Sequence, residues 1–137
     1  MLFRSADGGP WSRICGLPAL WAGILYDKDA LSAAWDLCKH WTAEEHNHLR
    51  RDAAKIGLKG TIHGRPVREV AEELLDIARH GLRRRARFSG GMVDETGYLS
   101  ELEEIAESGL TPADRLLEAY HGRWRGDLSK LFDEQAY

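Results

Sequence analysis

Basic excess is the first thing this chain lacks. Nineteen Lys and Arg stand against 22 Asp and Glu, for a net charge of -3, so no nucleic-acid partner is expected from charge. Cysteine is scarce as well. Cys15 and Cys38 have neither metal-ligand spacing nor a disulfide framework. Reduced thiols on helix faces suit a cytoplasmic protein. Long hydrophobic runs are missing: the longest, Leu17 to Tyr26, is too short to span a bilayer. No basic segment followed by a small-residue cleavage site marks a signal peptide, and no membrane partner is expected. Internal repeats at solenoid periods are absent. No glycine-rich phosphate loop with a lysine occurs, and no acidic metal cluster stands near Arg4, so the chain alone offers no nucleotide cradle.

Helical signals are plentiful. A first helix opens at Leu17-Pro18, with Leu20, Trp21, Ile24 and Leu25 at helical spacing and proline in its favoured first turn. Asp27 or Asp29 caps a second, whose face is Leu31, Ala34, Trp35 and Cys38. Thr42 and Glu45 form a capping box for a third, which stops at Gly57. Leu58 to Arg65 reads as a loop. Pro66 starts the longest helix, with the stripe Val67, Val70, Ala71, Leu74, Ile77, Ala78 and Leu82; Gly81 ends or weakens it. After a loop over Ser89 to Gly97 comes a short helix stopped by Gly109. Thr111-Pro112-Ala113-Asp114 is a clean start for another, with Leu116, Leu117 and Tyr120 inside. A last short helix carries Leu128, Leu131 and Phe132 and ends at Tyr137. The fold class is mainly α: a helical bundle preceded by one strand segment, Met1 to Phe3. A lone strand cannot satisfy its own backbone groups, so either the start is disordered or the chain is the C-terminal piece of a longer protein.

Reaction chemistry has one natural place in this pattern. Arg4 and Asp7 follow the strand, and Gly8-Gly9-Pro10-Trp11 then breaks the chain, so charge and bare backbone can approach a ligand there. The bland alternative is a solvated ion pair beside a turn. Other groupings favour the bland reading. His46 and His48 are two apart and point to different sides of a helix, which argues against a metal site with His40. Arg79 and the run Arg83 to Arg87 could grip phosphate but suit a helix C-terminus. Trp21, Trp35 and Trp41 read as core or half-buried anchors. Cys15 has no activating histidine nearby.

The stretch RSADGGPWSRICGLPALWAGILYD, with WTAEEHNHLR at 41–50 and GLTPADRLLEAYHGRW at 109–124, resembles the C-terminal region of glutamate–cysteine ligases of the plant and alphaproteobacterial type. The resemblance covers essentially the whole chain. It implies an enzyme that joins the γ-carboxylate of glutamate to the amine of cysteine with ATP and magnesium, through a γ-glutamyl phosphate, as the first step of glutathione synthesis. It also implies an antiparallel sheet forming a funnel backed by helices, with most ligand-holding residues in a missing N-terminal catalytic portion. On that scheme residues 1–16 are the last active-site strand and its glycine-rich turn, and 17–137 are the C-terminal helical region, inactive alone. Arg4 matches the arginine that stabilises the transferring phosphoryl group and contacts ATP. Asp7 matches a substrate-pocket aspartate, and Trp11 flanks that pocket. Leu2 stands where the family has a glutamate, and leucine cannot hold magnesium; Ser5 stands where glycine is usual. No metal ligand is therefore assigned in this chain, and a homodimer is left open. The competing reading is a stand-alone, non-catalytic helical interaction module derived from the ligase.

Overall fold

A computed structural model describes residues 9–86 and 94–134. The strand segment Met1 to Phe3, Arg4, Asp7, Arg87, the first part of the loop at 89–97 and the last three residues lie outside the described residues.

The first helix, α1 (Trp11–Leu25), begins six residues earlier than Leu17. Pro10 is what fixes that start. Its backbone is extended (φ -57°, ψ 159°), and its carbonyl accepts from Arg13 N at 2.9 Å and Ile14 N at 3.1 Å. Pro18 then falls inside the helix, where it forfeits one backbone bond, and α1 runs unbroken past positions 16 and 17. Asp27, not Asp29, caps α2 (Lys28–Cys38): its carboxylate accepts from Ala30 N at 2.8 Å. Thr42 caps α3 (Ala43–Ile56) with the reciprocal Glu45 box.

Within the stretch that reads as a loop, β1 (Thr61–Ile62) pairs antiparallel with β2 (Arg65–Pro66). His63 and Gly64 between them both have positive φ, 49° and 74°, the geometry of a tight two-residue hairpin turn. Ile62 is buried beneath it. Next come α4 (Val67–Arg85), a 3-10 turn at Glu95–Leu99, α5 (Ser100–Ser108), α6 (Pro112–His121) and α7 (Ser129–Glu134). The chain is mainly α, as its periodicity implies.

The core lies where α1 and α4 cross. Ala19 and Ile24 of α1 meet Leu75, Ala78 and Leu82 of α4, with Leu99 and Ala106 closing the far side. The crossing is backbone on backbone. A Cβ on Gly81 would stand 1.9 Å from the Gly23 carbonyl oxygen, and one on Gly23 would stand 2.3 Å from that of Ala78. Gly81 does not end α4; it lets the two helices touch. Leu75 is buried beside the expected stripe.

Burial differs from expectation on α1, α2, α6 and α7. Trp21 and Trp35 are exposed, and Trp41 is half-buried. Small residues explain this: beside Ile24, α1 and α2 face the core with Gly16, Ala19, Gly23 and Ala30, and Trp11, Ile14, Trp21, Leu25, Leu31 and Trp35 are left exposed. On α6 it is Ala119 that is buried while Leu117 is exposed, and Leu128 and Phe132 also face out. Trp124 anchors the C-terminal part instead. It is 3% exposed, and its indole N–H donates to Glu134 at 2.7 Å.

Candidate active site

The described part of the candidate site is the turn into α1. Gly9 is buried, and its Cα faces the Arg13 side chain closely enough that a Cβ would lie 3.4 Å from the guanidinium. Trp11, the first helical residue, is 75% exposed and turned away from the core. Arg13 Nε donates to Glu101 Oε1 at 2.7 Å and so ties the start of α1 to α5. Burial pushes the Glu101 carboxyl up, but hydrogen bonds from Ser12 and Arg13 outweigh it and hold the group below its ordinary value. Gly16 lies one turn on, where a Cβ would approach the Tyr98 carbonyl to 3.0 Å. The segment after the turn is therefore clamped twice, by an ion pair and by close packing. Of the three sequence-assigned site residues, Arg4 and Asp7 fall outside the described residues.

Three arginines of the cluster on α4, Arg79, Arg84 and Arg85, are taken up internally. Arg84 makes a two-pronged bond to the Asp27 carboxylate, Nε to Oδ2 at 2.9 Å and Nη2 to Oδ1 at 2.5 Å. That fork, with the Ala30 amide, holds the Asp27 carboxyl far below the ordinary range. Arg85 bonds Glu95 at 3.0 Å and lies over the Tyr26 ring at 5.5 Å. Arg79 Nε meets Glu103 Oε1 at 2.7 Å. These guanidiniums clip helices together rather than forming an open phosphate grip. His63 Nδ1 lies 2.9 Å from Glu45 Oε1 and His48 pairs with Asp52, so the histidines disperse among carboxylates. Among the described residues no three His, Cys, Asp or Glu side chains converge as metal ligands. Sequence reasoning missed Glu101 as the partner of Arg13; their separation of 88 positions leaves no local signal.

Residues 2–134 match the glutamate-cysteine ligase family 2 (GCS2). The chain belongs to that family. It is 44% identical over 134 residues to the chloroplastic glutamate–cysteine ligase of Medicago truncatula, covering 98% of this chain and 25% of that protein. It is 43% identical to the enzyme of the same name from Solanum lycopersicum, again over 98% of this chain and 24% of the relative. The Arabidopsis thaliana enzyme is 42% identical over 98% of this chain and 24% of its own length. This family member thus spans about a quarter of the length of the curated relatives it matches. The expectation of a cytoplasmic location is overturned by these comparisons, since the relatives are named chloroplastic. Reduced cysteines report a reducing environment and do not distinguish one such compartment from another. No helix among the described residues is long and apolar enough to cross a membrane.

Proposed function

We propose that this chain is the C-terminal portion of a glutamate–cysteine ligase, an enzyme that joins glutamate to cysteine with ATP and magnesium through γ-glutamyl phosphate, the first step of glutathione synthesis. The observation that carries this reading is the family match from residue 2 to residue 134, at about the same identity in several plant ligases. The relatives' names place a plastid beside the reaction, and we extend that location to the protein in which this chain functions.

In this reading Arg4 stabilises negative charge on the transferring phosphoryl group, a use suited to a planar, permanently charged guanidinium. Asp7 and Trp11 line the substrate pocket. Nucleotide and metal are held mainly by parts of the ligase that this chain does not contain. Three arginines of the α4 cluster support that division, because Arg79, Arg84 and Arg85 are already paired with carboxylates. The chain itself is then without activity.

Two measurements test it. Release of ADP dependent on glutamate and cysteine is expected to be undetectable with the 137-residue chain, and steady turnover would overturn the claim that it is incomplete. In a whole ligase carrying this segment, Arg4→Ala is expected to lower kcat by about 10²- to 10³-fold, the loss seen when one preorganised charge-stabilising donor is removed. Unchanged turnover would overturn the role given to Arg4.

A further inference from the structure

The outer face of α1 differs from the other long helical surfaces of the molecule. A helix with one side in water normally carries charge there. On α4 that side holds Arg68, Glu69, Glu73, Asp76 and Arg83, all exposed. On α1 the one charged residue, Arg13, turns to Glu101. Opposite the core-facing Gly16, Ala19 and Gly23 stand Trp11, Ile14, Pro18, Trp21 and Leu25. Their spacings of three and four residues place them on a single stripe. Trp11 is 75% exposed, Trp21 49% and Leu25 52%. Leu31 and Trp35, one turn apart on α2, are exposed too. Of the twelve exposed large apolar side chains among the described residues, seven fall between Trp11 and Trp35.

A helix apolar on all sides belongs in an interior, and a concentrated apolar patch marks an interaction surface. We propose that the stripe Trp11, Ile14, Trp21 and Leu25, extended by Leu31 and Trp35, is the face through which this chain packs on the remainder of the ligase polypeptide, against an uncharged apolar surface. The inference rests on the functional reading above and deepens it. Relatives of this chain are about four times its length, so most of the surface that α1 requires comes from elsewhere in the same protein. The stripe also begins at Trp11, where the candidate site ends. One helix then serves both sides: its glycine face locks onto α4, and its aromatic face meets the rest of the polypeptide. A second copy of this chain would cover the stripe without supplying any group the site lacks.

Hydroxyl-radical footprinting read by mass spectrometry tests this in two proteins. One is the chain itself. The other is the Medicago truncatula ligase carrying residues 2–134 in place of the segment they match. Trp11, Trp21 and Trp35 are expected to oxidise readily in the chain and several-fold more slowly in the whole ligase, with Trp124 protected in both. Equal oxidation of the three in both proteins would overturn the proposal. So would protection in the chain alone that grows with its concentration, which would assign the face to a second copy.

A second experiment does not need the chimaera to fold. Trp21→Glu with Leu25→Glu is expected to lower the Tm of the chain far less than Leu82→Ala does, since Trp21 is 49% and Leu25 52% exposed whereas Leu82 is 1% exposed. A fall in Tm as large as that of Leu82→Ala would show the face to be core of the chain itself and would overturn the proposal. A ligase with protected tryptophans but no γ-glutamylcysteine formation would uphold the docking face while sinking the functional reading.

Discussion

Gly81 sets how close α1 and α4 can come, and its effect reaches the whole core. A methyl group there would meet the Gly23 carbonyl at 1.9 Å, with the Ala30 Cβ 3.0 Å away. Backbone cannot rotate aside as a flexible side chain can, so the helices must separate. Gly81→Ala is expected to destabilise the chain by about 3 kcal/mol, the upper end for overpacking, although alanine is the better helix former. Gly97 has nothing within 4 Å of its added Cβ. Gly97→Ala should therefore leave the Tm unchanged, and thermal unfolding followed by circular dichroism checks both. Leu82 is 1% exposed within the same cluster, and Leu82→Ala should cost about 2–5 kcal/mol in the same measurement. The stripe containing Leu82 is legible in the sequence because helical period is local. The role of Gly81 is not, because its partner lies 58 positions away and glycine inside a helix otherwise reads as a weak point.

Elements are legible where their ends are chemical. Both Thr boxes form as their spacing implies, at Thr42 with Glu45 and at Thr111 with Asp114. Thr42→Ala should cost about 1 kcal/mol, read from urea midpoints. The start of α6 also has a pH signature. The Lys59 ammonium, then the Thr111 hydroxyl and amide, lower the Asp114 carboxyl from 3.8 to about 2. Its folded pKa lies below the unfolded one, so the stabilisation is complete above pH 4 and disappears as pH falls toward 2. Amides of α6 should lose protection across that window, and Asp114→Asn should remove the pH dependence while weakening the cap. The first helix shows the limit of such signals. Pro18 imitates a helix start, but Pro10 is the real one. Local chemistry fits both prolines, and only the packing of α1 on α4 separates them. The candidate site is less legible still. Nothing near Arg13 in the chain points to Glu101, and the aromatic stripe of α1 reads as core until α4 is seen to take the opposite face.

At the scale of the molecule the described helices form two tiers. The cluster of buried residues draws on α1, α4, the 3-10 turn at Glu95–Leu99 and α5, and on none of α3, α6 and α7. No residue of α3 or α7 is buried, and α6 contributes only Ala119. The outer helices are held by caps and by ion pairs such as Lys59 with Asp114 and Arg115 with Glu104. Exposed pairs of that kind contribute about 0–1 kcal/mol each and weaken with salt. The inner tier is held by apolar burial, which salt does not screen. Local opening free energies should therefore separate. Hydrogen exchange is expected to show slowest amides in the middle of α1 and in α4 from Leu75 to Leu82, with α3, α6 and α7 exchanging faster. Raising salt should speed the outer helices and leave the inner pair unchanged. Uniform exchange across all seven helices would show instead that the clips couple the tiers into one cooperative unit. In that case the ion pairs of α4 would matter to the core itself: Arg84→Ala, which releases the buried side of Asp27, would lower protection at Leu82 as much as at Ala30, whereas two separate tiers confine that loss to α2.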